Sequence, residues 1–431
     1  MLSLSSVNTF KRTRFNDGRD WFFENRFGLF VHWGLYAIPA WHEQYPYRKS
    51  VSRTEYGKYI EQFNPVEFNP HRWLDIAEDA GMQYLCFTAK HVDGFCLWNT
   101  AQTDYNIMNT PYAKDVLMML AKACHERGFP LCLYYSIADM HHPNFPSFGG
   151  AYERLAPEPE DKPDRGKYFA FVEAQIKELC SNYGKISGFW WDGNVIEYNE
   201  PHLNNLIRSL QPTAVINCRG GDLGDYDLAE REWNKEIGGL STFKRPLEGC
   251  DSVGCESWGW KTDEDYFSIG YLTRNIDRIM ARGGNYLLNI GPDGLGRFPE
   301  RPAWILDKVG VWYKSVKEAF IGTEPAPELS GDPDVLISKS GNTIYAHLLA
   351  PKCDRLILPL INKLPLRSIL LNNGQELEAR LDITPRRFRE TNCLRIRKLP
   401  LDKLANETLV VKIEFDKLPK IKESAYVEEE G

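Results

Sequence analysis

Asp192 is the carboxylate with the clearest chemical setting in this 431-residue chain. It closes the run Ile186-Ser-Gly-Phe-Trp-Trp-Asp192 directly before Gly193, so an apolar segment delivers a carboxyl group at its tip and then breaks. A buried parallel strand ending in a carboxylate and a loop is how a (β/α)-barrel presents reactive groups at its C-terminal face. Two tryptophans beside a carboxylate also suit a sugar, whose apolar faces pack on rings. The competing reading is that Asp192 caps the next helix.

Other polar groups stand at comparable strand ends. His32 stands near the end of Arg26-Phe-Gly-Leu-Phe-Val-His-Trp-Gly34, Lys90 and His91 end Gln83-Tyr-Leu-Cys-Phe-Thr-Ala-Lys-His91, and Arg219 ends Ala214-Val-Ile-Asn-Cys-Arg219. A stretch with Glu230, Glu232, Glu236, Glu248 and Glu256 follows. His32 and His91 sit on different strands, as metal ligands do, but no further His or carboxylate cluster joins them and His141-His142 falls in a loop. No metal and no cofactor is expected. Gly220-Gly221 and Gly238-Gly239 lack the strand-to-helix setting of a phosphate-binding loop.

The elements that must position these groups alternate. Helical periodicity covers 70–81, 114–128, 167–183, 202–210, 265–283 and 303–319, with strands between them at 26–34, 83–91, 130–136, 186–192, 214–219 and 285–291. Right-handed βαβ units of this kind build a parallel barrel, so an α/β fold with a (β/α)8-like barrel is expected over residues 1–325. The rhythm is lost over 220–262, and the polar, aromatic loop 40–59 is too long for a plain connection. Beyond Pro325 short alternating segments, one pair joined by Gly341-Asn342, indicate an antiparallel β-sandwich domain over 326–431. The tail from Lys420 reads as disordered.

Composition narrows the partners. Net charge is −7 with both signs interspersed, which argues against nucleic acid or an anionic membrane. The 12 Trp, 21 Tyr and 22 Phe supply the rings a carbohydrate cleft needs, although core packing accounts for most of them. Ten scattered cysteines read as free buried thiols. No signal peptide or membrane span is visible, so the chain is expected to be cytoplasmic, or periplasmic or secreted after removal of a leader. A small-molecule glycoside or oligosaccharide is the expected partner, and a homo-oligomer stays open.

Four motifs in order resemble the α-L-fucosidases of glycoside hydrolase family 29. They are Phe27-Gly-Leu-Phe-Val-His-Trp-Gly-Leu-Tyr-Ala-Ile-Pro-Ala-Trp41, Lys90-His-Val-Asp-Gly-Phe95, Leu97-Trp98 with Thr103-Asp-Tyr-Asn106, and Gly283-Gly-Asn-Tyr-Leu-Leu-Asn-Ile-Gly-Pro292. The resemblance covers residues 20–320, and the family's layout includes a C-terminal sandwich. It implies a retaining exo-glycosidase, in which one carboxylate forms a glycosyl-enzyme ester and a second carboxyl group, ~5–5.5 Å away, serves as acid and then base.

The resemblance makes Asp192 the nucleophile and Trp190 the tryptophan near the sugar. The spacing of Arg219, Asp225-Tyr226 and Glu230 is similar to the family pattern that ends in the acid/base, which favours Glu230 over Glu256 and Glu248. It also implies sugar contacts from His32, Glu43, His91, Tyr134, Arg219 and Trp258. Gln44 stands where a tryptophan is usual, and one further departure matters more: the family's second histidine of a pair is Val92 here. Valine cannot hold a hydroxyl, and a lost polar contact changes discrimination between sugars strongly. An α-L-fucoside is therefore the expected substrate, with an α-L-glucoside or α-L-galactoside as the alternative. A non-catalytic sugar-binding protein on the same fold is the third reading, and it conflicts with an Asp192 retained in full context.

Overall fold

The computed structural model describes residues 14–146, 158–193, 200–231, 242–332, 334–383 and 392–419. Eight parallel strands form one sheet: β1 Phe27–Val31, β2 Tyr84–Lys90, β3 Leu131–Ser136, β4 Gly188–Asp192, β5 Val215–Ile216, β6 Asp227–Glu230, β7 Leu247–Ser252 and β8 Asn285–Ile290. Their spatial order is β5-β4-β3-β2-β1-β8-β7-β6, and a parallel bridge between Asn217 and Tyr226 joins the two ends of the sheet into a barrel. Helices Pro70–Asp79, Val116–Arg127, Arg165–Asn182, Pro201–Leu210, Ile269–Met280 and Glu300–Val316 intervene or follow. Several begin at side-chain caps that satisfy free N–H groups, such as Asn69, Asp115, Asp164 and Ser268.

Two expectations need correction. The fifth strand is only Val215–Ile216; Asn217 follows as a single bridge to Tyr226, and its side-chain amide exchanges hydrogen bonds with the Trp191 backbone. The stretch without rhythm holds β6 and β7. β6 is short and half-buried along its length, and β7 carries Glu248, Asp251 and Ser252 within the fold, so neither has the apolar pattern of a buried strand. Loop 40–59 also contains helical turns, Tyr45–Arg48 and Arg53–Gly57.

The remaining strands form two antiparallel sheets. β9 Glu324–Pro325, β10 Val335–Ser340, β11 Thr343–Leu348, β13 Arg367–Leu370, β14 Gln375–Glu376 and β17 Leu409–Glu414 make one; β12 Arg355–Leu358, β15 Glu378–Asp382 and β16 Cys393–Arg397 make the other. Alternation decides where each side chain goes. Val335, Ile337, Ile344 and Val411 join Leu356 and Ile396 in a core shared by both sheets, whereas Leu336, Tyr345 and Val410 join the barrel's outer core. A buried polar chain crosses this seam: His347 Nδ1 lies 2.9 Å from Asp277 Oδ2, and its Nε2 lies 3.0 Å from Ser338 Oγ. The expected disordered tail lies outside the described residues. Among the described residues no helix is long and apolar enough to cross a membrane.

Candidate active site

Inward-facing residues of neighbouring strands pack together inside the barrel. Phe30, Cys86, Tyr134, Trp190, Cys250 and Leu287 belong to one interior cluster, and the polar groups lie at the C-terminal strand ends above it. Asp192 is the last residue of β4, its side chain 23% exposed, and Gly193 turns away with φ of +69°. A side chain at Gly193 would meet the Ala138 backbone nitrogen and Ser136 Oγ at 2.9 Å, so the turn behind the carboxylate requires glycine.

Two groups hold Asp192. The Tyr134 hydroxyl donates to Oδ2 at 2.6 Å, and Arg219 Nη1 donates to Oδ1 at 2.7 Å. Burial pushes the Asp192 pKa up, but the Arg219 charge, the Tyr134 hydroxyl and the Gly193 N–H outweigh it, and the net shift is downward. Asp192 is thus an ionised carboxylate with a fixed orientation. Arg219 Nη2 donates to Glu230 Oε2, so one guanidinium bridges two carboxyl groups. Glu230 is the last residue of β6 and its side chain is 32% exposed.

The other glutamates lie elsewhere. Glu256 is exposed and pairs with Lys261 Nζ at 2.6 Å. Glu248 is inside the barrel, where Tyr84 and Trp190 bind it. Glu232 and Glu236 lie outside the described residues.

Aromatic rings and histidines surround the carboxylates. Tyr134 stacks on Trp190 at 5.4 Å and on His91 at 5.7 Å, and His32 packs 5.2 Å from Trp258. His32 is buried, and desolvation with the nearby His91 lowers its pKa to about 3. It is neutral, and its Nδ1 lies 2.7 Å from Asn289 Oδ1. With the proton on Nδ1, the Nε2 lone pair is left to accept a hydroxyl. Buried His91 leaves Nδ1 without a hydrogen-bond partner among the described residues.

Glu43 is also buried. Burial raises its pKa, and His42, His91, the Ser257 hydroxyl and His32 outweigh that, leaving it lowered. Its Oε2 accepts from Ser257 Oγ at 2.8 Å and from the Trp258 backbone N–H at 2.9 Å, tying the loop after β1 to the loop after β7. Trp190 is almost fully buried beneath Arg219 and Tyr134, and Arg231 lies over the Trp258 ring at 4.5 Å. Val92 is buried beyond the end of β2, with its carbonyl accepting from Met140 N–H at 2.9 Å.

Asn289 is a residue that sequence reasoning passed over. Its amide nitrogen donates to Ser252 Oγ at 3.0 Å and to the Trp258 carbonyl at 2.7 Å, while its oxygen fixes His32. The signal was available: a polar residue two places after inward-facing Leu287, near the C-terminal end of a buried strand.

A parallel barrel whose strand ends present two carboxyl groups on one guanidinium, packed among aromatic rings, has the parts a glycoside hydrolase uses. Comparison with known proteins narrows the class. The family model for alpha-L-fucosidase matches residues 5–318. Tissue alpha-L-fucosidase of Bos taurus is 28% identical over 370 residues, covering 76% of this chain and 74% of the relative. That of Rattus norvegicus is 28% identical over 352 residues, covering 71% and 70%. Among solved structures, alpha-L-fucosidase isoenzyme 1 from Paenibacillus thiaminolyticus superposes with a TM-score of 0.81 at 30% identity, covering 93% of this chain and all of that one. The alpha-L-fucosidase from Vibrio sp. strain EJY3 gives 0.81 at 25% identity, covering 94% and 74%. The chain belongs to the alpha-L-fucosidase family.

Proposed function

We propose that the chain is a retaining exo-α-L-glycosidase that hydrolyses α-L-fucosides, with Asp192 as nucleophile and Glu230 as acid/base. One observation carries this reading: the Arg219 guanidinium donates to both carboxyl groups at once, with Tyr134 fixing the far oxygen of Asp192. A guanidinium shared by both carboxyl groups holds them beside one another at the mouth of the barrel, which supports the close pair, ~5–5.5 Å apart, that a retaining mechanism uses.

The charge balance follows. The acid role requires Glu230 to carry the proton at the start, while Arg219 pairs with ionised Asp192. Asp192 attacks the anomeric carbon as Glu230 gives its proton to the departing oxygen. The ester leaves Asp192 neutral and Glu230 anionic, and Arg219 then pairs with Glu230. Glu230 next takes a proton from water, which attacks the ester and returns the carboxylate to Asp192. One fixed cation faces one net negative charge throughout, so little reorganisation accompanies either step. His32, Glu43, His91 and Trp258 are assigned to sugar binding, and Trp190 supports the nucleophile's holders from below.

The names of the relatives support a fucoside. Val92 supports an α-L-galactoside or α-L-glucoside as the second reading, because a hydroxyl partner is missing there. The barrel and sandwich are proposed to divide near residue 325.

The test is paired. Asp192→Gly should abolish turnover of an aryl α-L-fucoside. Glu230→Ala should form the covalent intermediate from a good leaving group, stall, and recover with azide, yielding a glycosyl azide of retained configuration. Normal turnover by Asp192→Gly, or no azide product from Glu230→Ala, contradicts the roles.

A further inference from the structure

Beneath the site lies a carboxyl group that the scheme above does not use. Glu248 is the second residue of β7 and is 1% exposed. The Tyr84 hydroxyl donates to its Oε2 at 2.6 Å, and Trp190 Nε1–H donates to its Oε1 at 2.9 Å. The titratable groups around it are Tyr84 and Cys86 on β2, Cys132 on β3, Tyr226 ahead of β6 and Cys250 on β7. Burial raises the pKa of every one, so they stay neutral near pH 7. Burial also pushes Glu248 to about 7, against the pull of its two hydrogen bonds. Among the described residues it serves as a hydrogen-bond acceptor and not as one half of an ion pair.

The packing is built around this contact. A side chain at Gly28 would sit 2.4 Å from the Tyr84 ring, so that glycine leaves room for the tyrosine that grips Glu248. An indole has one polar atom, its N–H, and Glu248 fixes it from inside the barrel. The same indole carries Tyr134 stacked at 5.4 Å and the Arg219 guanidinium 5.1 Å from its centroid. Those two residues are the ones that hold Asp192. A chain of contacts therefore runs from the barrel interior to the carboxylate.

We propose that Glu248 is a positioning residue: it pins the Trp190 indole, and through it sets the platform on which Tyr134 and Arg219 orient Asp192. The proposal rests on the reading of Asp192 as nucleophile. Glu248→Gln keeps an acceptor for Trp190 and a polar group for Tyr84, whereas Glu248→Leu keeps neither.

The test measures kcat and KM on an aryl α-L-fucoside for these two variants, Trp190→Phe and the double variant Glu248→Leu/Trp190→Phe. Loss of a buried hydrogen-bonded anchor is expected to lower kcat about tenfold or more in Glu248→Leu with KM moved less than about threefold, and Glu248→Gln should recover most of it. Because Glu248 acts through the indole, the double variant should be no worse than Trp190→Phe by more than about twofold. Multiplying losses in the double variant overturn the proposal. So does azide rescue of Glu248→Leu with glycosyl azide as product, which would make Glu248 itself the acid/base. If Glu248→Leu does not fold, Tyr84→Phe carries the test: a few-fold fall in kcat is expected that disappears in the Trp190→Phe background, and an unchanged kcat overturns the idea. Asp192→Gly runs alongside. Activity in that variant sinks the nucleophile reading, whereas an inactive Asp192→Gly with multiplying losses sinks only the role of Glu248.

Discussion

Tyr134→Phe isolates one interaction at the proposed nucleophile. The substitution removes a hydroxyl that donates to Asp192 Oδ2 at 2.6 Å and keeps the ring stacked on Trp190 and His91. A hydrogen bond to a charged group is worth about 1.5–3 kcal/mol. Asp192 is 23% exposed, so water recovers part of that and about 1–2 kcal/mol remains. Losing that stabilisation of the charged form should raise the Asp192 pKa. The sign follows from the depressed value in the folded enzyme: the ionised form is the nucleophile, and activity is lost as pH falls through that pKa. Removing the donor therefore moves the acid limb of kcat/KM upward. The assay is a pH profile of kcat/KM on an aryl α-L-fucoside over pH 3–8, with circular dichroism to confirm the fold. An acid limb that stays in place, or moves down, refutes the assignment of that limb to Asp192.

Arg219→Gln removes the shared cation, so it should shift the same limb further than Tyr134→Phe and also slow turnover of the intermediate, read as a pre-steady-state burst. Val92→His should raise the preference for a fucoside over an α-L-glucoside, which differs at C4, several-fold, since one hydroxyl contact is worth on the order of 1 kcal/mol; an unchanged ratio places Val92 out of reach of that hydroxyl. At the seam, His347→Leu leaves Asp277 buried without its partner and should cost about 2–4 kcal/mol, seen as a lower midpoint in urea with kcat little changed. Gly28→Ala drives a methyl into the Tyr84 ring and should destabilise the barrel by about 1–3 kcal/mol in the same assay.

The sequence was most legible where a strand is apolar and ends in a polar residue. β1 and β4 deliver His32 and Asp192 just after or at their ends, and both stand out because the residues before them cannot be anything but buried. β7 was illegible for the opposite reason. Its Glu248 binds two inward side chains and its Ser252 accepts from Asn289, so the strand carries polar residues whose partners come from distant segments. β6 was hidden by its length of four residues and its half-buried faces. The juxtaposition of Asp192 with Glu230 was available only through the spacing that resembles the family, because Arg219 joins them across the closure of the barrel. The support beneath Trp190 had no sequence signal, since a tryptophan and a glutamate 58 positions apart meet only once the sheet has curled.

Trapping the covalent intermediate tests the central claim most directly. A 2-fluoro fucosyl fluoride slows hydrolysis of the ester more than its formation, so the sugar should remain on the enzyme at one equivalent. Peptide mass mapping should then place it on the fragment containing Asp192, and Asp192→Gly should take up none. A sugar found on another carboxylate, or no adduct from an enzyme that releases the inverted anomer first, would contradict the two-carboxylate account.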